Sequence, residues 1–230
     1  MRHFTEPTSG YWQHIVPAGE PLPAGPPWRF GYPAALPDGR HLVLPIRQLH
    51  SDPTLAVASL ICNQASLEVV DTLAAMLAQA LAPHAPQWII GLPTLGLALA
   101  PDVARGLGHA RYAPMGYSRK FWYDEALSAP VVSITSPVPG KRVYLDPNLL
   151  PLLQGQRVAL VDDAVSTGST ALAAWELAER LGLQVVAMGV AMRQGRRWRE
   201  VLGAERAARV VGVFDSPLLR AVGEGWVERD

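Results

Sequence analysis

Residues 157–170 read RVALVDDAVSTGST, and the order of residue types in this stretch decides the fold. Arg157 to Val161 is a short apolar run of the kind buried on both faces of a parallel sheet. It delivers two adjacent acids, Asp162 and Asp163, to its carboxyl end. Small and hydroxyl residues then make a turn, and Ser169 to Leu181 has the spacing of a helix. Strand, acid pair, turn and helix in this order predict one strand–helix unit of an α/β fold, with a polar site beyond the strand's carboxyl end.

The turn is suited to an anion. Val165 to Thr170 can direct successive backbone N–H groups at one point, Gly168 permits close approach, and the helix N-terminus favours negative charge. Ser166, Thr167, Ser169 and Thr170 add hydroxyl donors. A bare polyphosphate would be repelled by Asp162 and Asp163. A sugar diol would not, since carboxylates accept its hydroxyl protons or hold it through magnesium. The stretch therefore expects a phosphorylated ribose. A Walker loop, GxxxxGK[ST], is absent, and so is a dinucleotide fingerprint. The plainer alternative is a helix capped by acids after a Ser-Thr-Gly turn.

Working outward, QVVAMGVAM at 184–192 and RVVGVF at 209–214 read as further buried strands. Ser66 through Leu81 spaces Leu67, Val70, Leu73, Leu77 and Leu81 as a helix with Asn63 as its cap. WIIGL at 88–92 is a strand, Leu97 to Leu107 a helix, and RYAPM at 111–115 a strand. An irregular stretch from Tyr117 to Arg142 follows, too long for a simple connection. The whole predicts an open, mainly parallel α/β sheet flanked by helices. Residues 1–50 form a proline-rich arm and a hairpin around Pro37-Asp38-Gly39, with Tyr32 to Leu36 facing the strand after Arg40. Residues 51–192 form the core, and 193–230 a helix and strand extension in which RQGRRWRE at 193–200 is a solvated helix face.

The chain has 230 residues, 49% of them hydrophobic, enough to bury a full core. Its 20 basic and 20 acidic residues cancel, so no long-range field recommends nucleic acid or an anionic membrane as a partner. Cys62 is the only cysteine, which excludes an internal disulfide and a multi-thiolate zinc site and points to a reducing cytoplasm. The first ten residues lack the apolar core of a signal peptide, and no run reaches the roughly eighteen apolar residues of a membrane span.

Residues 158–170, VALVDDAVSTGST, resemble the phosphoribosyl-pyrophosphate motif of type I phosphoribosyltransferases, nearest in character to the adenine and xanthine types. The resemblance implies the type I phosphoribosyltransferase fold, with a small hood from terminal segments. It puts Asp162 and Asp163 on the ribose hydroxyls and magnesium, and Ala164 through Thr170 on the 5′-phosphate. GLPTLGLAL at 91–99 resembles the family's pyrophosphate loop, which places Pro93, Thr94, Leu95 and Gly96 against pyrophosphate. A helix start is the plain alternative, and this loop often carries a non-proline cis peptide. Tyr117 to Arg142 occupies the place of the family's mobile lid. There Arg119 and Lys120 would meet pyrophosphate charge, and Glu125 would assist proton removal from the incoming base unless it is simply solvated. Phe121, Trp122 and Tyr123 either pack on the body or seal the site. The only lysines, Lys120 and Lys141, flank this stretch, while eighteen arginines supply every other formal basic charge.

The implied reaction moves the phosphoribosyl group to a nitrogenous base, a purine first, and releases magnesium pyrophosphate from an oxocarbenium-like transition state. Hypoxanthine and guanine relatives carry an Asp two residues before the motif glycine. Ser166 stands there instead, which leaves adenine-, xanthine- and orotate-type acceptors open. Phe214 and Trp198, with Trp28 and Phe30, are candidates to stack on the base, against ordinary packing for each. A homodimer is the family's common state. The rival reading is a regulator on the same fold that senses phosphoribosyl pyrophosphate or a guanosine polyphosphate without catalysis, and the neutral charge speaks against its nucleic-acid surface.

Overall fold

The computed structural model describes residues 9–131 and 141–229. Residues 1–8 of the arm and 132–140 of the stretch 117–142 lie outside the described residues. In chain order the elements are β1 (Gly31–Ala35), β2 (His41–Gln48), β3 (Leu55–Ala58), α1 (Leu67–Leu81), β4 (Trp88–Gly91), α2 (Ala100–Gly106) and β5 (Ala113–Gly116). They continue with β6 (Ser128–Pro130), β7 (Arg142–Leu145), α3 (Leu150–Leu153), β8 (Arg157–Val165), α4 (Ser169–Arg180) and β9 (Gln184–Gln194). The chain ends with α5 (Arg197–Ala207), β10 (Val210–Ser216), β11 (Leu218–Val222) and β12 (Gly225–Arg229).

Seven strands form the main sheet in the order β10-β9-β8-β4-β5-β7-β6. The run from β10 to β5 is parallel, and β7 and β6 add an antiparallel edge. Helices α1 and α2 cover one face with Ile89, Ala159, Val161 and Ala187 beneath them. α4 and α5 cover the other over Ile90, Val158, Leu160 and Met188. Burial on both sides explains why these strands read as continuous apolar runs. Gly189 lets α1 approach β9 closely, since a Cβ there would lie 2.8 Å from Leu81 Cδ1 and 3.1 Å from Leu77 Cδ1.

The chain folds into one more sheet, and it draws on both ends. The hairpin β1–β2 pairs with β3, β3 pairs with β11, and β11 with β12. The sequence left open which terminal segment supplies a hood; both contribute to this sheet, because β10 leads directly into β11, whose Leu218 faces Val57 of β3. Gln194, buried at the end of β9, donates from Nε2 to the Ala58 carbonyl at 2.7 Å and ties the two sheets together.

Local expectations needed correction at four places. The cap of α1 is Ser66, whose Oγ accepts from the Val69 N–H at 3.2 Å, while Asn63 lies in a preceding 3-10 turn. Leu67 falls at the first helical position and is 79% exposed, off the buried stripe of Val70, Leu73, Leu77 and Leu81. The expected helix from Leu97 to Leu107 is a 3-10 turn, Leu95–Ala98, followed by α2, with Pro101 in its first turn where the missing N–H costs nothing. In the stretch 117–142 the described part includes β6, paired with β7 through Ser128↔Tyr144. No described helix is long and apolar enough to cross a membrane.

Leu77→Ala is expected to cost about 2–5 kcal/mol in urea denaturation, since it opens a cavity between α1 and the sheet. Leu67→Ala is expected to stay within about 0.5 kcal/mol of the parent.

Candidate functional site

Strands β4 and β8 are adjacent, and their connections leave in opposite directions: β4 leads to β5 on one side, β8 to β9 and β10 on the other. This divergence opens a crevice at the carboxyl ends, the general place for ligands in such sheets. Both segments singled out from the sequence, 93–96 after β4 and 162–170 in and after β8, meet there.

Strand β8 stays paired with β9 through the acid pair and on to Val165↔Arg193, so Asp162 and Asp163 are held by a ladder rather than by a loop. Each is only 9% exposed. Asp162 Oδ1 accepts the Asp163 N–H at 2.9 Å, and the nearby Gly96 backbone favours the charged form of the Asp162 carboxyl. Burial pushes both carboxyls up, Asp163 to about 6. Asp162 is raised further by the charge of Asp163 beside it, against the pull of the Asp163 N–H and the Gly96 backbone.

The loop after β4 is fitted to this pair. Leu92 N–H donates to the Val161 carbonyl at 2.8 Å, and the Pro93–Thr94 peptide is cis. A Cβ on Gly96 would lie 2.5 Å from the Val161 carbonyl oxygen, 2.7 Å from Asp162 Cα and 2.9 Å from Asp162 Oδ1. Only glycine lets the loop rest on the acid strand. Pro93 and Gly96 are buried, Leu95 is half-buried and Thr94 is exposed.

Beyond β8, Ala164, Ser166, Thr167, Ser169 and Thr170 are half-buried around the turn, with Val165 and Gly168 buried. Gly168 precedes α4 at φ 86°, and a Cβ there would stand 3.0 Å from Trp198 Cα, so positive φ and close packing both require glycine. The backbone N–H groups at the start of α4 have no carbonyl four residues back within the helix to bond, which leaves donors for an anion.

Two residues that the sequence did not assign to the site lie beside it. Cys62 is buried in the 3-10 turn between β3 and α1. Burial and the charges of Asp163 and Asp162 push its thiol far up, which makes it an inert neutral group. Tyr117, directly after β5, is half-buried; burial and the same two carboxylates push its hydroxyl to about 12. Neither position carries a motif that would have announced it.

Several expected site residues are placed differently. Trp198 and Phe214 are core residues, 2% and 3% exposed: Trp198 lies on the buried face of α5 with Nε1 donating to the Gly195 carbonyl at 3.1 Å, and Phe214 lies in the layer beneath α1. Neither presents a ring face to a base. Trp28 is buried in the second sheet, edge-on to Tyr32, and Phe30 lies under Arg29. Glu125 bridges Arg119 at 3.0 Å and Arg142 at 3.3 Å, so its carboxylate braces its own segment. Lys120 is exposed. The aromatic run divides: Tyr123 packs near Tyr144, Trp122 Nε1 lies 3.4 Å from Asp146 Oδ2, and Phe121 is 97% exposed.

The buried acids set a pH-dependent cost. An unfolded aspartate titrates near pH 4, and Asp163 in the fold near 6, so between these values the native state holds more protons and stability falls as pH rises. Asp162→Asn keeps the acceptor oxygen and removes the charge. It is expected to raise Tm by several degrees at about pH 8 and by little at about pH 4, as scanning calorimetry reads it.

Comparison with known proteins agrees with this geometry. The family model for the phosphoribosyl transferase domain matches residues 57–208. The xanthine phosphoribosyltransferase of Chloroflexus aurantiacus is 27% identical over 157 residues, 66% of this chain and 72% of the relative. The adenine phosphoribosyltransferase of Chlorobaculum tepidum is 36% identical over 100 residues, 44% of this chain, and the match spans about half, 52%, of that enzyme. Among solved structures, the APRTase of Giardia lamblia complexed with 9-deazaadenine superposes with a TM-score of 0.54 at 19% identity, covering 64% of this chain and 79% of that one, a likeness of fold. With the model spanning well over half of its length and the acid strand and glycine loop inside the match, the chain belongs to the phosphoribosyl transferase domain family.

Proposed function

We propose that the chain transfers the phosphoribosyl group of phosphoribosyl pyrophosphate to a purine base and releases magnesium pyrophosphate. The observation that carries this reading is the close approach of Gly96 to Val161 and Asp162, which brings a candidate pyrophosphate loop and a candidate ribose strand into one crevice. The names of the adenine and xanthine relatives support a purine acceptor. Ser166 directs the choice away from hypoxanthine and guanine, whose enzymes carry an acid at that position.

In this reading the N–H groups and hydroxyls from Ala164 to Thr170 hold the 5′-phosphate. Asp162 and Asp163 accept the ribose hydroxyls and fix the sugar against the sheet. The N–H groups of Thr94, Leu95 and Gly96 receive the leaving pyrophosphate, with Arg119 and Lys120 as the outer cations. The donor set fits magnesium: two buried carboxylates are hard oxygen ligands, and substrate oxygens and water would complete the ion's shell. When bound, magnesium neutralises the pyrophosphate charge. Positioning and charge do the rest, and no side chain serves as a covalent nucleophile. The reading includes a homodimer.

Pyrophosphate release is to be followed with phosphoribosyl pyrophosphate, magnesium and a panel of purine and pyrimidine bases. Turnover is expected with adenine or xanthine. Donor binding without turnover across the panel would overturn the catalytic reading in favour of a sensor. Asp162→Asn with Asp163→Asn is expected to abolish donor binding while the far-UV spectrum stays native. Gly96→Ala is expected to lower kcat/KM by roughly 100-fold, because the added carbon must push the loop off the acid strand.

A further inference from the structure

Lys141 stands at the return end of the stretch 117–142, immediately before β7, and Tyr117 at its outgoing end, immediately after β5. β5 and β7 pair antiparallel through Met115↔Leu145 and Gly116↔Tyr144, which brings the two ends together. Lys141 Nζ lies 3.7 Å from the centroid of the Tyr117 ring. Its backbone is pinned as well, the carbonyl accepting the Val131 N–H at 2.9 Å. Among the described residues it makes no ion pair with a carboxylate, unlike Arg119 and Arg142 on the same stretch, which share Glu125. The tyrosine beneath it is the one whose hydroxyl feels the charge of Asp162 and Asp163. A half-buried ammonium thus rests on an aromatic face near the acid pair, in a chain whose only other lysine is Lys120.

That arrangement is out of balance in the protein alone. A cation seated on a ring is held by the ring's quadrupole, a weaker partner than a phosphate oxygen. A compact ammonium with three rotatable donors can turn toward an arriving anion without leaving the ring, whereas a planar guanidinium stacked there would be committed to one orientation. We propose that Lys141 is a donor-binding cation of this site, contacting the diphosphate of the phosphorylated sugar, and that Tyr117 is its positioning residue. This rests on the donor assigned under the proposed function. It adds a cation at the return end of the stretch, distinct from Arg119 and Lys120 near its start.

The test is donor binding by calorimetry with magnesium present, together with steady-state kinetics, on the full chain. Lys141→Gln is expected to raise the donor Kd and KM about tenfold, the loss of one charge-assisted hydrogen bond, with the KM for the base and the Tm unchanged. Lys141→Arg should recover part of the affinity. Tyr117→Phe, which keeps the ring, should raise the donor Kd less than Tyr117→Leu, and Tyr117→Leu should reproduce Lys141→Gln. The double variant Tyr117→Leu with Lys141→Gln should be no weaker than Lys141→Gln alone, since both remove one unit. A donor Kd within twofold of the parent in Lys141→Gln overturns the proposal, as does an equal rise in the KM for the base, the mark of a merely structural clasp. Additive losses in the double variant overturn the role of Tyr117. Failure of the parent chain to bind the donor overturns this proposal and the proposed function together, whereas donor binding unaffected by Lys141→Gln overturns this proposal alone.

Discussion

The close approach of Gly96 to the carboxyl end of β8 is the constraint on which the site depends. With no Cβ in the way, the loop after β4 comes down onto Val161 and Asp162, where Leu92 N–H donates to the Val161 carbonyl. Two segments some seventy residues apart in sequence thereby become the two walls of one crevice. The main sheet supplies the scaffold for this contact. β4 and β8 are neighbours in it and their connections diverge, so the space above their ends is left open by topology.

The acid pair carries a cost that the fold alone does not recover. Two carboxylates side by side at 9% exposure lose hydration and repel each other, and the Asp163 N–H and the Gly96 backbone offset only part of this. A sequence selected for stability alone would not place them at the end of an otherwise apolar strand. Under the proposed function, ribose hydroxyls and a hard cation would share this charge, the usual trade between stability and function at a site. The neighbouring Cys62 and Tyr117 belong to the same electrostatic environment and stay neutral in it.

The ends of the chain contribute in a different way. Proline and glycine keep much of the arm out of regular structure, yet its hairpin is stitched through β3 to the last two strands and fixed to the main sheet by the Gln194 hydrogen bond. The aromatic residues of the ends are spent on this construction. Trp28 and Trp226 pair their backbones across it, and Trp198 closes the space beside Gly168. Rings that composition alone offers for stacking on a base are the ones that hold the molecule together.

The residue order of RVALVDDAVSTGST determined the parallel α/β class and marked an acid pair followed by a candidate anion turn, because these follow from periodicity, charge and backbone freedom within a few neighbouring residues. The order of residues 91–99 left a helix start and an anion loop open, and only the resemblance to the family's pyrophosphate loop favoured the second. Tertiary structure decided what depends on partners distant in sequence. Ser66 rather than Asn63 caps α1 because the turn holding Asn63 closes before the helix begins. Trp198 is core because it lies on the buried face of α5, Phe214 because α1 packs over it, and Glu125 is a brace because Arg119 and Arg142 converge on it. Both ends build one sheet because β11 finds an edge at β3. Tyr117 and Lys141 meet only through the pairing of β5 with β7, a contact between residues whose separation in sequence gives no sign of it.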